Sequence, residues 1–221
     1  MSNSNQNSSI SKPPLKTYSI KLLTIGEGSV GKTSIISKLC TDTFDPNQLS
    51  TTGIDFRSFT LNYNQDTKVN VSLWDSAGQE RYHNISRQYF SKVNGMLLVY
   101  DITSRDSFEK ITKWTEDIID TIGSLDEIGF VLLGNKNDLQ LQRVVSKEEG
   151  KERAKELGIP FFETSAKTGC NLKESIAVLS QKTIELIEKG DKGDDKERES
   201  IVLKKEKEKD KSNEDKDKCC K

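Results

Sequence analysis

An eight-residue glycine-rich stretch, Gly26-Glu27-Gly28-Ser29-Val30-Gly31-Lys32-Thr33, lies between a strand-like apolar run and the start of a helical pattern. No other segment constrains the chain as strongly. In that strand-loop-helix setting the pattern G-x-x-x-x-G-K-[ST] predicts a polyphosphate cradle. Its glycines let backbone N–H groups close on an anion at a helix N-terminus, Lys32 neutralises the β and γ phosphates, and the Thr33 hydroxyl can ligate Mg2+.

The rest of the chain repeats the alternation. Apolar runs of strand length are read at Tyr18 to Ile25, Ile54 to Tyr63, Lys68 to Asp75, Met96 to Tyr100, Phe130 to Leu133 and Ile159 to Glu163. Met96 to Tyr100 and Phe130 to Leu133 are apolar at every position, as central parallel strands covered on both faces should be. The second and third runs are joined by Asn64-Gln65-Asp66 and predict an antiparallel hairpin. Helical periodicity covers Thr33 to Cys40, Phe108 to Thr121, Ser146 to Leu157 and Asn171 to Glu188, the last with Leu172, Ile176, Leu179, Thr183 and Ile187 on one face. The expected fold is α/β: a six-stranded, mostly parallel sheet with one antiparallel edge strand and helices on both faces.

The 221 residues allow one domain of good size, and 34 basic against 35 acidic residues give no electrostatic case for nucleic acid. A mean hydropathy of -0.67 is low for a packed domain, and the dilute sequence lies at the ends. Residues 1–16, rich in Ser, Asn and Gln, read as a disordered polar arm. Residues 190–221 carry eleven basic and eleven acidic residues around one apolar island, Ile201-Val202-Leu203, and read as a flexible charged tail. The domain is therefore expected over 17–189. No apolar stretch is long enough to span a bilayer. The N-terminus lacks a signal-peptide core, and Ser2 stands where myristoylation needs a glycine, so cytosolic synthesis is expected. Cys40, Cys170, Cys219, Cys220 and the lone His83 lack metal-ligand spacing.

Two further motifs sit at strand ends, where open α/β sheets bind ligands. Asn135-Lys136-Asn137-Asp138 follows one apolar run; the Asp138 carboxylate can accept from guanine N1–H and the exocyclic amine, whereas adenine presents an acceptor there. Trp74-Asp75-Ser76-Ala77-Gly78-Gln79-Glu80 ends another. Asp75 can hold Mg2+ through water, the Gly78 amide can reach a γ-phosphate, and Gln79 can position an attacking water.

These motifs, in this order and spacing, resemble those of the Ras superfamily of small GTPases over about Thr17 to Lys189. The resemblance implies a GTPase domain that binds GTP/GDP and Mg2+. Phosphates and base would be contacted by Gly28, Ser29, Val30, Gly31, Lys32, Thr33, Ser34, Asn135, Lys136 and Asp138, together with Ser165, Ala166 and Lys167 of Glu163-Thr164-Ser165-Ala166-Lys167. Phe44 would stack on the base. Thr51, nineteen residues past Lys32, would join Thr33 and Asp75 at the metal, and Gln79, Lys32 and Thr51 would serve hydrolysis. Within the superfamily the chain is similar to the Rab branch, through Thr52-Gly53-Ile54-Asp55-Phe56, Arg81-Tyr82, Leu98 to Thr103 and the terminal Cys219-Cys220. Phe56, Trp74 and Tyr89 fall where that branch has its effector triad, so the effector surface is expected at Thr52 to Phe56, Trp74 and Tyr89. Gly28, Thr52, Ser76 and Tyr89-Phe90-Ser91-Lys92-Val93 depart from the usual Rab residues, mostly at partner surfaces.

Lys218 occupies the Cys position of a C-a-a-X signal, so the Cys219-Cys220 pair instead resembles Rab ends that receive two geranylgeranyl groups, the number that stable anchoring needs. A Rab-like protein implies exchange factors, GTPase-activating proteins, effectors, escort and GDP-dissociation-inhibitor-type carriers, and a prenyl transferase as partners. It also implies a monomer on the cytoplasmic face of an intracellular membrane, with a cytosolic carrier-bound pool, that regulates vesicle transport. Ile201 to Leu203 is the expected carrier contact. Two other classes compete: a GTP-holding scaffold without turnover, disfavoured by Gly78 and Gln79, and a P-loop kinase, which should carry an arginine-bearing lid. His83 is read as solvent-facing.

Overall fold

The structure, a computed structural model, describes residues 16–49, 51, 53–64, 66–76 and 88–190. The arm, the tail with Ile201 to Leu203 and Cys219-Cys220, and Thr52, Gly78, Gln79, Arg81, Tyr82 and His83 lie outside the described residues.

Among the described residues six strands are present: β1 (Lys16–Ile25), β2 (Ile54–Asn64), β3 (Thr67–Ser76), β4 (Gly95–Asp101), β5 (Gly129–Asn135) and β6 (Phe161–Glu163). They form one sheet in the order β2-β3-β1-β4-β5-β6. β2 runs antiparallel to β3 and every other pairing is parallel, the expected arrangement with its single antiparallel edge. The longer helices among the described residues are α1 (Lys32–Thr41), α2 (Arg105–Glu109), α3 (Ile111–Ile122), α4 (Lys147–Glu156) and α5 (172–190).

Strand alternation splits the core into two layers. Ile20 and Leu22 of β1, Leu97 and Val99 of β4, and Val131 and Leu133 of β5 pack with α1 and α5, whereas Leu23, Ile25, Met96, Leu98, Tyr100 and Leu132 face the opposite way onto α2, α3 and α4. Every residue of β4 and β5 is buried, which is why their sequences show no polar face. Burying a side chain such as Leu98 removes apolar surface worth about 1.5–3 kcal/mol from water, so these two strands anchor both layers.

Element boundaries differ from the sequence reading for identifiable reasons. Helicity begins at Arg105, not Phe108, because the Ser104 side chain accepts from Ser107 N–H and caps α2. A single residue, Lys110, then separates α2 from α3. Ser146 and Leu157 are the caps of α4; Ser146 and Glu149 satisfy each other's backbone N–H in a capping box. β6 is shorter than expected, since Pro160 has no N–H for the ladder and Ile159 N–H is turned to the Ala154 carbonyl at 3.0 Å. Asn171 is left-handed at φ 55 and precedes α5 instead of opening it. β1 starts at Lys16, whose N–H reaches Asp66 O at 2.8 Å. Its ammonium and the Tyr18 hydroxyl both bind Glu188, tying the start of the domain to the end of α5.

The α5 seam tolerates little change. A Cβ on Gly129 would lie 2.4 Å from Thr183 Oγ1 and 3.0 Å from Leu179 Cδ1, while the buried Thr183 hydroxyl makes no hydrogen bond. Gly129→Ala is expected to destabilise by about 1–3 kcal/mol through overpacking. Thr183→Ala should recover much of that loss in the double variant, as read by urea unfolding.

Candidate functional site

A cavity of about 550 Å³ lies at the carboxyl ends of the parallel strands, lined by the loops after β1, β5 and β6, by Ser76 at the end of β3 and by the segment after α1. Gly28, Ser29, Gly31, Lys32, Thr33, Ser34, Phe44, Thr51, Asn135, Lys136, Asp138, Ala166 and Lys167 line it. Thus residues up to 139 positions apart, from Gly28 to Lys167, share one space. Val30, Asp75 and Ser165 stand behind the lining, all buried, and act on it through hydrogen bonds. Gly78 and Gln79 lie outside the described residues.

The phosphate loop is held in a conformation few residues allow. Gly26 has φ 135, and a Cβ there would lie 2.1 Å from the Val99 carbonyl oxygen; Gly31 has φ 96, and its Cβ would lie 2.5 Å from Asn135 Nδ2. Neither position accepts a side chain. Ser29 is also left-handed at φ 62, which costs energy for a residue with a Cβ. Gly31 provides no side-chain cap for α1, whose first residues Lys32, Thr33 and Ser34 line the cavity; an uncapped first turn of this kind is suited to anions.

Lys32 is buried, and its Nζ donates to the carbonyls of Gly26 at 2.9 Å and Glu27 at 2.7 Å. Burial pushes this ammonium down to about 8, opposed by the charges of Asp75 and Glu27. A polyphosphate beside it would favour the charged form.

Oxygen donors gather next to Lys32. Thr33 Oγ1 donates to Asp75 Oδ2 at 2.6 Å, Thr51 Oγ1 to the same oxygen at 3.1 Å, and the two hydroxyls are 2.7 Å apart. Burial raises the Asp75 carboxyl, with Thr33, Lys32 and Thr51 pulling it down. Two hydroxyls and one carboxylate, short of a full coordination shell, suit a hard, octahedral cation that keeps waters and phosphate oxygens as its remaining ligands. Mg2+ fits; zinc, which prefers His and Cys, does not. Among the described residues no group of His, Cys, Asp and Glu side chains alone could hold a metal.

At the other end of the cavity Asn135 joins three loops. Its Nδ2 donates to Val30 O at 2.8 Å, and its Oδ1 accepts from Ala166 N–H at 3.2 Å and Thr164 Oγ1 at 3.4 Å. Asp138 accepts from Ser165 Oγ at 2.6 Å, which fixes its carboxylate orientation. Lys136, left-handed at φ 66, pairs with Asp101 at 2.7 Å. Phe44 stands half-exposed on the lining.

Beyond the cavity, Phe56 pairs across strands with Trp74. Their ring centroids are 6.1 Å apart, and Tyr89 lies 5.2 Å from Trp74. The three aromatics form one continuous row, with Phe56 65% exposed. Gly53 and Asp55 lie beside it on the β2 approach; the side chain of Ile54 is not among those described.

Several participants carry no local sequence signal. Asp45, Pro46, Gln48 and Leu49 line the cavity between Phe44 and Thr51, in a segment without periodicity. Arg143 forks onto Glu163 at 2.5 and 3.1 Å and reaches Asn137 Oδ1 at 3.4 Å, bracing the ends of β5 and β6 against each other. A cationic residue five positions past Asp138 was the available clue, but its partner is twenty residues further on. Arg143→Ala would leave the buried Glu163 carboxylate uncompensated, so a loss of roughly 3 kcal/mol in urea unfolding is expected. Arg143→Lys should recover only part of it, since an ammonium cannot fork.

Residues 21–185 match the Ras family. The chain is also 40% identical over 178 residues to the human (Homo sapiens) Ras-related protein Rab-3A, an alignment that covers 79% of this chain and 80% of that protein. The chain belongs to the Ras family and within it is a Rab-type small GTPase, a GTP hydrolase with GTP/GDP and Mg2+ as its ligands and with exchange factors, GTPase-activating proteins and effectors as its classes of partner.

Proposed function

We propose that the 550 Å³ cavity is the GTP site of a membrane-transport switch, and that the residues lining it have the roles the family pattern implies. The observation that carries this reading is the gathering of Lys32, the Thr33–Thr51–Asp75 oxygens and Asp138 around one space. Lys32 and the first turn of α1 hold the β and γ phosphates, and Thr33, Thr51 and Asp75 hold Mg2+. Bound Mg2+ neutralises charge on the phosphate oxygens. Asp138 accepts from guanine, with Phe44 against the base and Asn135, Lys136, Ser165, Ala166 and Lys167 shaping its pocket.

Hydrolysis assigns Gln79 to orient the attacking water and Lys32 to stabilise charge developing on the phosphoryl oxygens. No arginine lines the cavity among the described residues, which supports slow intrinsic turnover, on the order of 10⁻⁴ to 10⁻² s⁻¹, and a need for an activating protein. Thr51 meets the metal oxygens and stands two residues before Gly53, where the effector approach begins. Loss of the γ-phosphate would release that segment and with it the surface of Phe56, Trp74 and Tyr89.

The domain expected over 17–189 is extended by Lys16 of β1, which leaves 1–15 as an arm and 190–221 as a tether. Cys219 and Cys220 take two geranylgeranyl groups through a prenyl transferase. Two lipid chains place the monomer on the cytoplasmic face of an intracellular membrane, and escort and GDP-dissociation-inhibitor-type carriers extract it, with Ile201 to Leu203 as their tail contact. No helix among the described residues is long and apolar enough to cross a membrane. The Rab relationship supports a role in vesicle transport.

Asp138→Asn offers an amide donor where guanine also donates, so GDP affinity should fall by about 1–3 kcal/mol or more, while xanthosine diphosphate, with a carbonyl in that place, should gain. Unchanged guanine preference by competition titration would remove Asp138 from the base site. Gln79→Leu should bind GTP normally and lower single-turnover hydrolysis by at least tenfold; equal rates would favour a scaffold without turnover. In cells, the Cys219→Ser, Cys220→Ser double variant should lose prenyl incorporation and its membrane-bound fraction.

A further inference from the structure

The side chain of Glu27 belongs to none of the phosphate, metal or base contacts above. It turns away from the loop and reaches the neighbouring helix: Oε1 accepts from the Trp114 indole N–H at 3.2 Å and Oε2 from Lys110 Nζ at 3.1 Å. Trp114 is 2% exposed and packed in the core layer beneath α3, and Lys110 is also paired with Asp106 at 2.9 Å. The anchor is therefore rigid. The backbone of Glu27 does something different, because its carbonyl accepts from Lys32 Nζ at 2.7 Å. One residue joins α3 through its carboxylate and the phosphate-binding lysine through its carbonyl.

Conformations with positive φ at Gly26, Ser29 and Gly31 persist only when the surroundings fix them in several places. The far end of the loop is fixed by Asn135 on the Val30 carbonyl. At the near end the carboxylate of Glu27 supplies a second fixed point, on a different helix.

We propose that Glu27 is a positioning residue for nucleotide retention: anchored to Trp114 and Lys110, it holds the near end of the phosphate loop, and with it Lys32, in the shape that binds the nucleotide's phosphates. The proposal rests on the assignment of Gly26 to Thr33 as the phosphate site. A negative side chain in a phosphate-binding loop would otherwise repel its ligand. Here the carboxylate ion-pairs with Lys110 at 3.1 Å, so that it acts on Lys32 through space and makes no direct bond to it. Trp114 becomes an internal reporter of the loop.

The test uses the full-length chain with Mg2+ and a fluorescent GDP analogue displaced by excess GDP. Glu27→Ala should release the analogue about tenfold faster than wild type, the effect of losing one charge-assisted hydrogen bond. Glu27→Gln keeps an oxygen for the indole but loses the ion pair, and should fall between the two. The chain's other tryptophan is Trp74, so in a Trp74→Phe background Trp114 emission should shift on nucleotide binding, and Glu27→Ala should abolish the shift while thermal unfolding remains cooperative. Release within twofold of wild type for both Glu27 variants, or a Trp114 signal unchanged by Glu27→Ala, would overturn the proposal. Should Glu27→Ala fail to fold, Glu27→Gln decides by the same criterion. Failure of wild type to bind the analogue would instead refute the phosphate-site assignment on which the proposal rests.

Discussion

The amide of Asn135 is the interaction on which the site's geometry depends. Its two ends reach the phosphate loop at Val30 and the loop after β6 at Thr164 and Ala166, and its backbone ends β5. An amide is the side chain that can donate one way and accept the other. Aspartate would lose the bond to Val30 O and leave a buried carbonyl unpaired. Gly31 completes the arrangement by having no Cβ at the point where the amide passes. The spacing of these loops is thus set by one side chain whose partner Val30 lies 105 residues away in sequence.

The motif residues were legible because each belongs to a short pattern with one physical purpose. Glycines mark positive φ at Gly26 and Gly31, and Lys32, Thr33 and Asp138, read as anion, cation and guanine contacts, come together on one cavity. The strand order was legible only in part: fully apolar runs identify β4 and β5 as interior, and the Asn-Gln-Asp turn identifies the hairpin. What stayed hidden depends on partners far away in sequence. Glu27 looks like an ordinary loop residue until α3 brings Trp114 beside it 87 positions later. Arg143 likewise acquires its meaning from Glu163. Helix boundaries were misjudged where polar caps, not apolar periodicity, determine them: Ser104 starts α2 three residues before the apolar pattern becomes visible.

Charge within the site is arranged so that opposite signs are already close before a ligand contributes its own. Lys136 rests on Asp101, Lys32 is near Asp75, and the Asp75 carboxylate is covered by two hydroxyls. Burial penalises the charged form of both Lys32 and Asp75. In the proposed site a metal-polyphosphate would supply the negative charge that Lys32 lacks and the positive charge that Asp75 lacks, so a single ligand would relieve both penalties. This explains how a site with two buried ionisable groups can be both costly to the protein alone and well suited to its ligand.

The two edges of the sheet differ in a way that bears on assembly. β6 offers three residues, shortened by Pro160, whereas β2 extends over eleven and, among the described residues, is paired on its β3 side alone. A stub of that length cannot template another chain, which is one of the ways proteins guard an open edge. Any strand that lengthened this sheet would have to align beside β2, next to the aromatic row and one turn of chain from Thr51. The architecture therefore gives the molecule a polarity: one flank closed to strand addition, and one where backbone pairing and nucleotide state would be felt together.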